Sequence, residues 1–189
     1  MHDLGFRAGT AVFGHLGIEW DLAAASEQEL TELREWISFY KEHRELLLAG
    51  DMVRMDTASE ELMVHGVVAP DRSRAIFALA TMSTSTASVG PPLRLRGLDP
   101  QRRYRVRPLL VGGLPAGLAA PRWWGGPAAE GDFRAFDPAE PDATGVATSE
   151  PTFPGDVFSG AVLEHTGVAA PVMHPDQVVL FSVTTERSQ

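Results

Sequence analysis

Leu62-Met63-Val64-His65-Gly66-Val67-Val68-Ala69-Pro70-Asp71-Arg72-Ser73-Arg74-Ala75-Ile76-Phe77-Ala78-Leu79-Ala80-Thr81-Met82-Ser83 is the stretch that decides the fold. Two apolar runs rich in β-branched and aromatic residues, Leu62 to Ala69 and Ala75 to Ser83, flank Pro70-Asp71-Arg72-Ser73. Proline presets the backbone angle of a type I turn and the aspartate favours it, so the chain reverses there and the runs are read as neighbouring antiparallel strands. Gly66 interrupts the first run and is read as a bulge, with His65 in a strand that ends at a turn.

The same period continues on both sides. Met52 to Asp56 reads as a short strand upstream. Downstream, Leu93 to Arg96 and Tyr104 to Val111 are joined by Gly97-Leu98-Asp99-Pro100, and Gln177 to Thr185 is the last strand, with Val179, Phe181 and Val183 on one face. Arg94, Arg96, Arg102, Arg103, Arg105 and Arg107 fall largely at alternate positions, as on the solvent face of strands. Val157 to Glu164 is read as a helical turn. Between about Gly112 and Pro154 lies a stretch rich in Pro, Gly and Ala, too long for a plain loop and therefore irregular or functional. Short strands with turn signals and no α/β alternation predict a mainly β fold, an antiparallel β-sandwich-like domain over residues 51–189.

Residues 1–50 differ. Ser26 with Glu29 forms a capping-box pattern, and a helix is expected from about Glu27 to Leu48. Leu30, Leu33, Ile37, Tyr40, Arg44 and Leu47 supply its stripe, Trp36 widens it, and Gly50 is placed to end it. Upstream, Leu4, Ala8, Ala11, Val12 and Leu16 recur at helical spacing, although Gly9, Gly14 and Gly17 weaken a helix unless it packs closely against a neighbour. Two helices are therefore expected before the β-domain.

Composition sets the outer limits. The chain has 189 residues, 44% of them hydrophobic and 22% charged, as in a globular protein. A net charge of −9 argues against nucleic acid as a partner, since phosphate binding needs a basic face. The chain has no cysteine, so disulfides and thiol chemistry are excluded. The N-terminus does not read as a secretory signal, no window reaches a membrane span, and a cytoplasmic location is the expectation.

The chemistry-bearing motifs are few. There is no nucleophile elbow, phosphate loop or His-Glu-x-x-His, and the six histidines are scattered; no metal or cofactor is expected. Glu19-Trp20-Asp21 sets two acids beside an indole, but a glycosidase needs two carboxyl groups facing each other across a sugar, which sequence neighbours rarely do. Asp21 is read as a boundary residue beside the capped helix. An independent enzyme built on acids such as Glu19 and Asp71 ranks last. Trp123 and Trp124 stand in the irregular stretch as candidates for carbohydrate contact, because tryptophan faces stack on sugar rings; the competing reading is a plug over a sheet face or a subunit contact.

The ordered set Asp3-Leu4-Gly5-Phe6-Arg7-Ala8-Gly9-Thr10, Phe13-Gly14-His15-Leu16-Gly17-Ile18-Glu19-Trp20-Asp21-Leu22 and Tyr40-Lys41-Glu42-His43-Arg44 resembles the end of the catalytic (β/α)8 barrel in bacterial α-galactosidases of glycoside hydrolase family 36. His65-Gly66-Val67-Val68, Leu95-Arg96-Gly97-Leu98-Asp99-Pro100 with Tyr104-Arg105-Val106, and Phe158-Ser159-Gly160-Ala161-Val162-Leu163 resemble that family's C-terminal β-domain. The resemblance implies a retaining hydrolase of terminal α-galactosides as the parent, using two aspartates. One of these lies in a Lys-Trp-Asp motif, yet the only lysine here, Lys41, precedes Glu42, and Glu19-Trp20-Asp21 occupies another place in the family's order. No catalytic residue is carried over. The implied partners are the catalytic barrel of the parent and, through it, an α-galactoside, with homo-oligomer contacts also expected. The alternative is a stand-alone carbohydrate-binding or structural β-domain.

Overall fold

The computed structural model describes residues 3–57, 59–84, 90–125 and 153–186. Among these residues two α-helices, α1 (Leu4–Ala11) and α2 (Glu27–Ala49), precede eight strands: β1 (Asp51–Met55), β2 (Leu62–Val68), β3 (Arg74–Thr81), β4 (Pro92–Leu93), β5 (Arg103–Leu109), β6 (Asp156–Ser159), β7 (Val168–Ala169) and β8 (Gln177–Thr185). Six of them form one sheet in the order β1-β2-β3-β8-β5-β6, antiparallel throughout, and β4 with β7 forms a small second sheet.

The hairpin read from the sequence is the start of this sheet. β2 and β3 pair from Leu62↔Thr81 to Val68↔Ala75. The side chain of Asp71 accepts hydrogen bonds from Ser73 N (3.0 Å) and Ser73 Oγ (2.7 Å), which locks the turn. The expected bulge at Gly66 is absent: the ladder passes unbroken through Val53↔Gly66 and Gly66↔Phe77. Gly66 is needed for room instead, since a Cβ there would lie 2.3 Å from the Phe77 ring.

Alternation assigns the two faces of the sheet to two cores. Val64, Val68, Phe77, Leu79, Tyr104, Val106, Phe181 and Val183 point one way. They are covered by Leu93, Leu95, Leu98, Leu118, Trp124 and Leu163 from the second sheet and the long connections, which gives the sandwich-like layer. Val67, Ala69, Ile76, Ala78 and Leu180 point the other way, against Ala8, Val12 and Phe13 of the α1 region and Trp36, Phe39, Leu46 and Leu47 of α2. The arginine alternation also holds, with Arg103 and Arg107 exposed around buried Tyr104 and Val106.

α2 carries the full capping box: Glu29 N donates to Ser26 Oγ (3.2 Å) while Ser26 N donates to the Glu29 carboxylate (2.8 Å). Its buried stripe is rotated from the expected one. Leu33, Trp36, Phe39, Leu46 and Leu47 are buried, whereas Leu30, Ile37 and Tyr40 are half-buried and Arg44 is exposed. The two stripes overlap at a period of 3.6, and the sheet takes the one with more aromatic area to bury. α1 ends at Ala11, short of Leu16. Gly9 lets it approach β8, because a Cβ there would meet Val178 Cγ1 at 2.4 Å.

β6 and the π-helical turn Val162–Thr166 together replace the helical turn expected over Val157 to Glu164. Of the irregular stretch, residues 112–125 and 153–154 are described; the rest of that expectation lies outside the described residues. Among the described residues no helix is long and apolar enough to cross a membrane.

Candidate functional site

Two places concentrate chemistry. The first is the aromatic pair, set on a single 3-10 turn, Arg122–Trp124, that follows Pro121. Trp124 is fully buried and meets Phe153 (5.2 Å between centroids) and Phe181 (6.0 Å). Trp123 is half-buried, packs edge-on to Trp124 and Phe158 (6.1 Å each), and donates its indole N–H to Ala169 O (2.7 Å). The pair is thus wedged between the large sheet and the β7 backbone. With Trp124 at 0% exposure, a sugar ring reaches only Trp123 of the two.

The second is a cleft on the helical side, found only once the fold is known. The loop after β5 brings Gly112 and Gly113 to α2, and Gly112 N donates to Glu35 Oε2 at 3.0 Å. Below the loop is a cavity of about 130 Å³ lined by Asp3, Phe6, Glu32, Trp36, Gly112 and Gln177 among others. It adjoins an open cleft of about 330 Å³ that shares Glu32, Gly112 and Gly113 and adds Glu27, Thr31 and Glu35. The rim is braced: Gln177 Nε2 donates to Asp3 Oδ2 (2.7 Å), and Gln177 Oε1 accepts from Ala116 N (2.7 Å).

Inside, Trp36 is 2% exposed. Its indole Nε1 is sealed from solvent beside the Glu32 carboxylate, with which it interacts as a donor although the contact falls short of full hydrogen-bonding geometry. Burial raises the pKa of Glu32 above the ordinary carboxylate value; the indole opposes that shift, and Asp3, Glu35 and Glu29 add to it. Gly112 closes directly over this pair: a Cβ there would lie 2.6 Å from Glu32 Cγ and 2.9 Å from Trp36 Nε1, so the loop reaches α2 only because it carries no side chain at that point. The traces in the sequence were the i, i+4 pair Glu32 and Trp36 and the Gly112-Gly113 doublet; nothing local joined them to each other.

The other candidates are accounted for locally. Asp21 caps the short turn Leu22–Ala24, accepting from Ala23 N at 3.0 Å. Glu19 is exposed, and the Trp20 ring carries the Arg7 guanidinium 5.9 Å above it. Asp71 serves its turn, and bonds from Ser73 lower its pKa. No described contact joins Asp71 to Glu19. His65 lies edge-on to Phe13 at 4.6 Å, and burial lowers its pKa. Among the described residues no cluster of His, Asp or Glu is arranged to hold a metal ion.

A six-stranded antiparallel sheet, faced by a small second sheet and by two helices, defines the class: a β-domain built onto a helical layer. The chain belongs to glycosyl hydrolase family 36, since the sequence profile of the "Glycosyl hydrolase family 36 C-terminal domain" matches residues 62–181. The "Melibiase" profile matches residues 1–50. The Escherichia coli alpha-galactosidase is 37% identical over 107 residues, covering 57% of this chain and 15% of that protein. Alpha-galactosidase AgaA of Geobacillus stearothermophilus is 30% identical over 120 residues, 61% of this chain and 16% of that one. In three dimensions the chain matches the alpha-galactosidase of Lactobacillus brevis with a TM-score of 0.65 at 21% identity, over 97% of this chain and 20% of that chain. The AgaB enzyme of Geobacillus stearothermophilus gives 0.66 at 21%, over 98% and 20%. These structural matches establish the fold. The chain spans 13–16% of the length of the curated relatives it matches.

Proposed function

We propose that this chain is the C-terminal, non-catalytic portion of an α-galactosidase-like retaining glycoside hydrolase whose parent hydrolyses terminal α-galactosides. One observation carries the reading: the family's C-terminal profile covers residues 62–181, while a second, melibiase profile claims residues 1–50. In this reading residues 1–50 are the end of the catalytic barrel, residues 51–189 are the β-domain, and the barrel supplies both carboxylates. The half-buried Leu30, Ile37 and Tyr40, with Leu48 at 55% exposure, fit a helical layer that has more protein to meet, either the barrel or a second copy. A cytoplasmic location belongs to the same proposal.

The test is hydrolysis of a chromogenic α-galactoside at near-neutral pH. The 189-residue chain is expected to give no turnover above a protein-free blank, and a longer product of the same reading frame, carrying a barrel with the two aspartates, is expected to be active. Turnover by the 189-residue chain that survives repurification would sink the proposal.

A second reading is carbohydrate contact at the Trp123 and Trp124 pair. The half-exposed Trp123 ring favours it, with Trp124 acting from behind as its support. Titration with galactose or raffinose should then quench tryptophan fluorescence, and Trp123→Ala should abolish the response. An unchanged response in that variant would leave the pair a structural plug.

A further inference from the structure

We infer that the bare end of the large sheet on its helical side, around Arg103 and Arg107, is an interaction surface for a second copy of this chain. It receives the acidic first half of the partner's α2, and the contact is made twice in a two-fold dimer. The argument starts at β8, which has strands on both sides of it in the sheet. Leu180 is sealed in the helical core. Ser182 and Thr184, two and four residues on and so on the same side, are half-buried and exposed. The helices therefore stop short of this end of the sheet. Register surrounds the two hydroxyls with cations: Arg74 and Arg105 flank Thr184, Arg107 adjoins Ser182, and Arg103 lies two residues before Arg105 on the same side. Arg74 is paired with Glu45 (3.5 Å) and Arg105 with Glu186 (2.5 Å). Arg103 and Arg107 are exposed and have no ion pair among the described residues.

The complement lies on the same side of the same molecule. The first half of α2 carries Glu27, Glu29, Glu32 and Glu35 against Arg34 alone, and the bond from Gly112 N to Glu35 places it beside the far end of β5. β5 thus separates an arginine end from a carboxylate end by about 20 Å, at roughly 3.3 Å per residue. A two-fold axis parallel to the sheet and crossing β5 at its middle lays the arginine end of each copy on the carboxylate end of the other. Such an isologous contact closes at two chains. The short side chains of Ser182 and Thr184 leave the floor between the arginines open to the partner's helix. A long polyanion is a poorer occupant, because the net charge of −9 and the carboxylates on the same side repel it. The surface is separate from the Trp123 and Trp124 pair, which packs on the other face of the sheet, and does not depend on the function proposed above.

The experiment is sedimentation velocity on the 189-residue chain. At low ionic strength a monomer–dimer equilibrium is expected, with a dissociation constant of roughly micromolar order. At about 1 M salt, where charges are screened beyond ~3 Å, the dimer is expected to weaken by about tenfold or more. Two sets of substitutions reverse the ends at exposed positions: Arg103→Glu with Arg107→Glu, and Glu27→Lys with Gln28→Lys and Thr31→Lys. Each variant alone is expected to be monomeric. Their equimolar mixture is expected to dimerise again, since one variant then carries two acidic ends and the other two basic ends. Urea midpoints near that of the parent chain show that the folds are kept, and the salt titration, which needs no variant, decides if one of them fails to fold. A parent chain that stays monomeric at about 100 micromolar and low salt overturns the proposal. So does a dimer indifferent to salt, which is the behaviour of an apolar contact through Leu30, Ile37 and Tyr40, and so does a mixture of the two folded variants that stays monomeric.

Discussion

Tyr104 shows how one side chain fixes two loops. It is fully buried, its hydroxyl accepts from Asp99 N (3.0 Å) and donates to Arg72 O (2.8 Å), and the β2–β3 turn is thereby tied to the loop before β5. Tyr104→Phe keeps the ring and strands both partners, so it is expected to cost about 1–3 kcal/mol, read as a lower urea midpoint with an unchanged slope. His65 makes a second prediction. Burial, and then the Arg54 charge, hold its pKa below the ordinary 6.5, so the folded chain refuses a proton that the unfolded chain accepts. Its contribution to stability is complete above 6.5 and is lost as pH falls below it. Burial also lowers the pKa of His43, in the same direction. The drop in urea midpoint from about pH 7.5 to about pH 5.5 should therefore be smaller in His65→Gln than in the parent chain; an equal drop would assign the acid sensitivity to other groups.

Elements were legible where local chemistry was redundant. α2 announces itself by Ser26, Glu29 and its apolar period, and its observed bounds, Glu27–Ala49, differ from the expected ones by a residue at the C-terminal end. Because the box satisfies two amides at once, Ser26→Ala should cost about 1 kcal/mol and speed hydrogen exchange in the first turn of α2 before the rest of the helix; uniform exchange along α2 would mean that docking alone holds that end. The choice of buried stripe was not legible, since Leu30, Ile37 and Tyr40 compete with Trp36 and Phe39 on pattern alone and only the sheet decides. β6 and β7 were missed for a related reason. Asp156-Val157-Phe158-Ser159 pairs on one side only, with β5, and Val168-Ala169 is a two-residue strand, too short for any period to emerge. Gly66 misled because a glycine inside a strand has two physical causes, a bulge or a close ring, and the ring in question was eleven positions away on β3.

At the scale of the whole molecule, the mainly antiparallel β-domain with two leading helices was legible, and the polar cleft was not. Its parts, Asp3, Glu32, Trp36, Gly112 and Gln177, lie on four segments that only the folded sheet assembles. The same assembly makes a last prediction. Residues 1–50 and 51–189 read as separate stretches of sequence, yet Trp36, Phe39, Leu46 and Leu47 of α2 share one core with Val67, Ile76, Ala78 and Leu180 of the sheet. Each large apolar side chain withdrawn from water in that layer stabilises by about 1.5–3 kcal/mol, and several together rival the roughly 5–15 kcal/mol of a whole domain. A chain of residues 51–189 alone is therefore expected to bind a hydrophobic dye and self-associate, with a broadened urea transition; adding residues 1–50 as a separate peptide should reverse the dye binding. A monomeric, cooperatively unfolding 51–189 chain would mean that the sheet is stable with that face bare, and that the helical layer matters for what it joins the β-domain to rather than for holding it together.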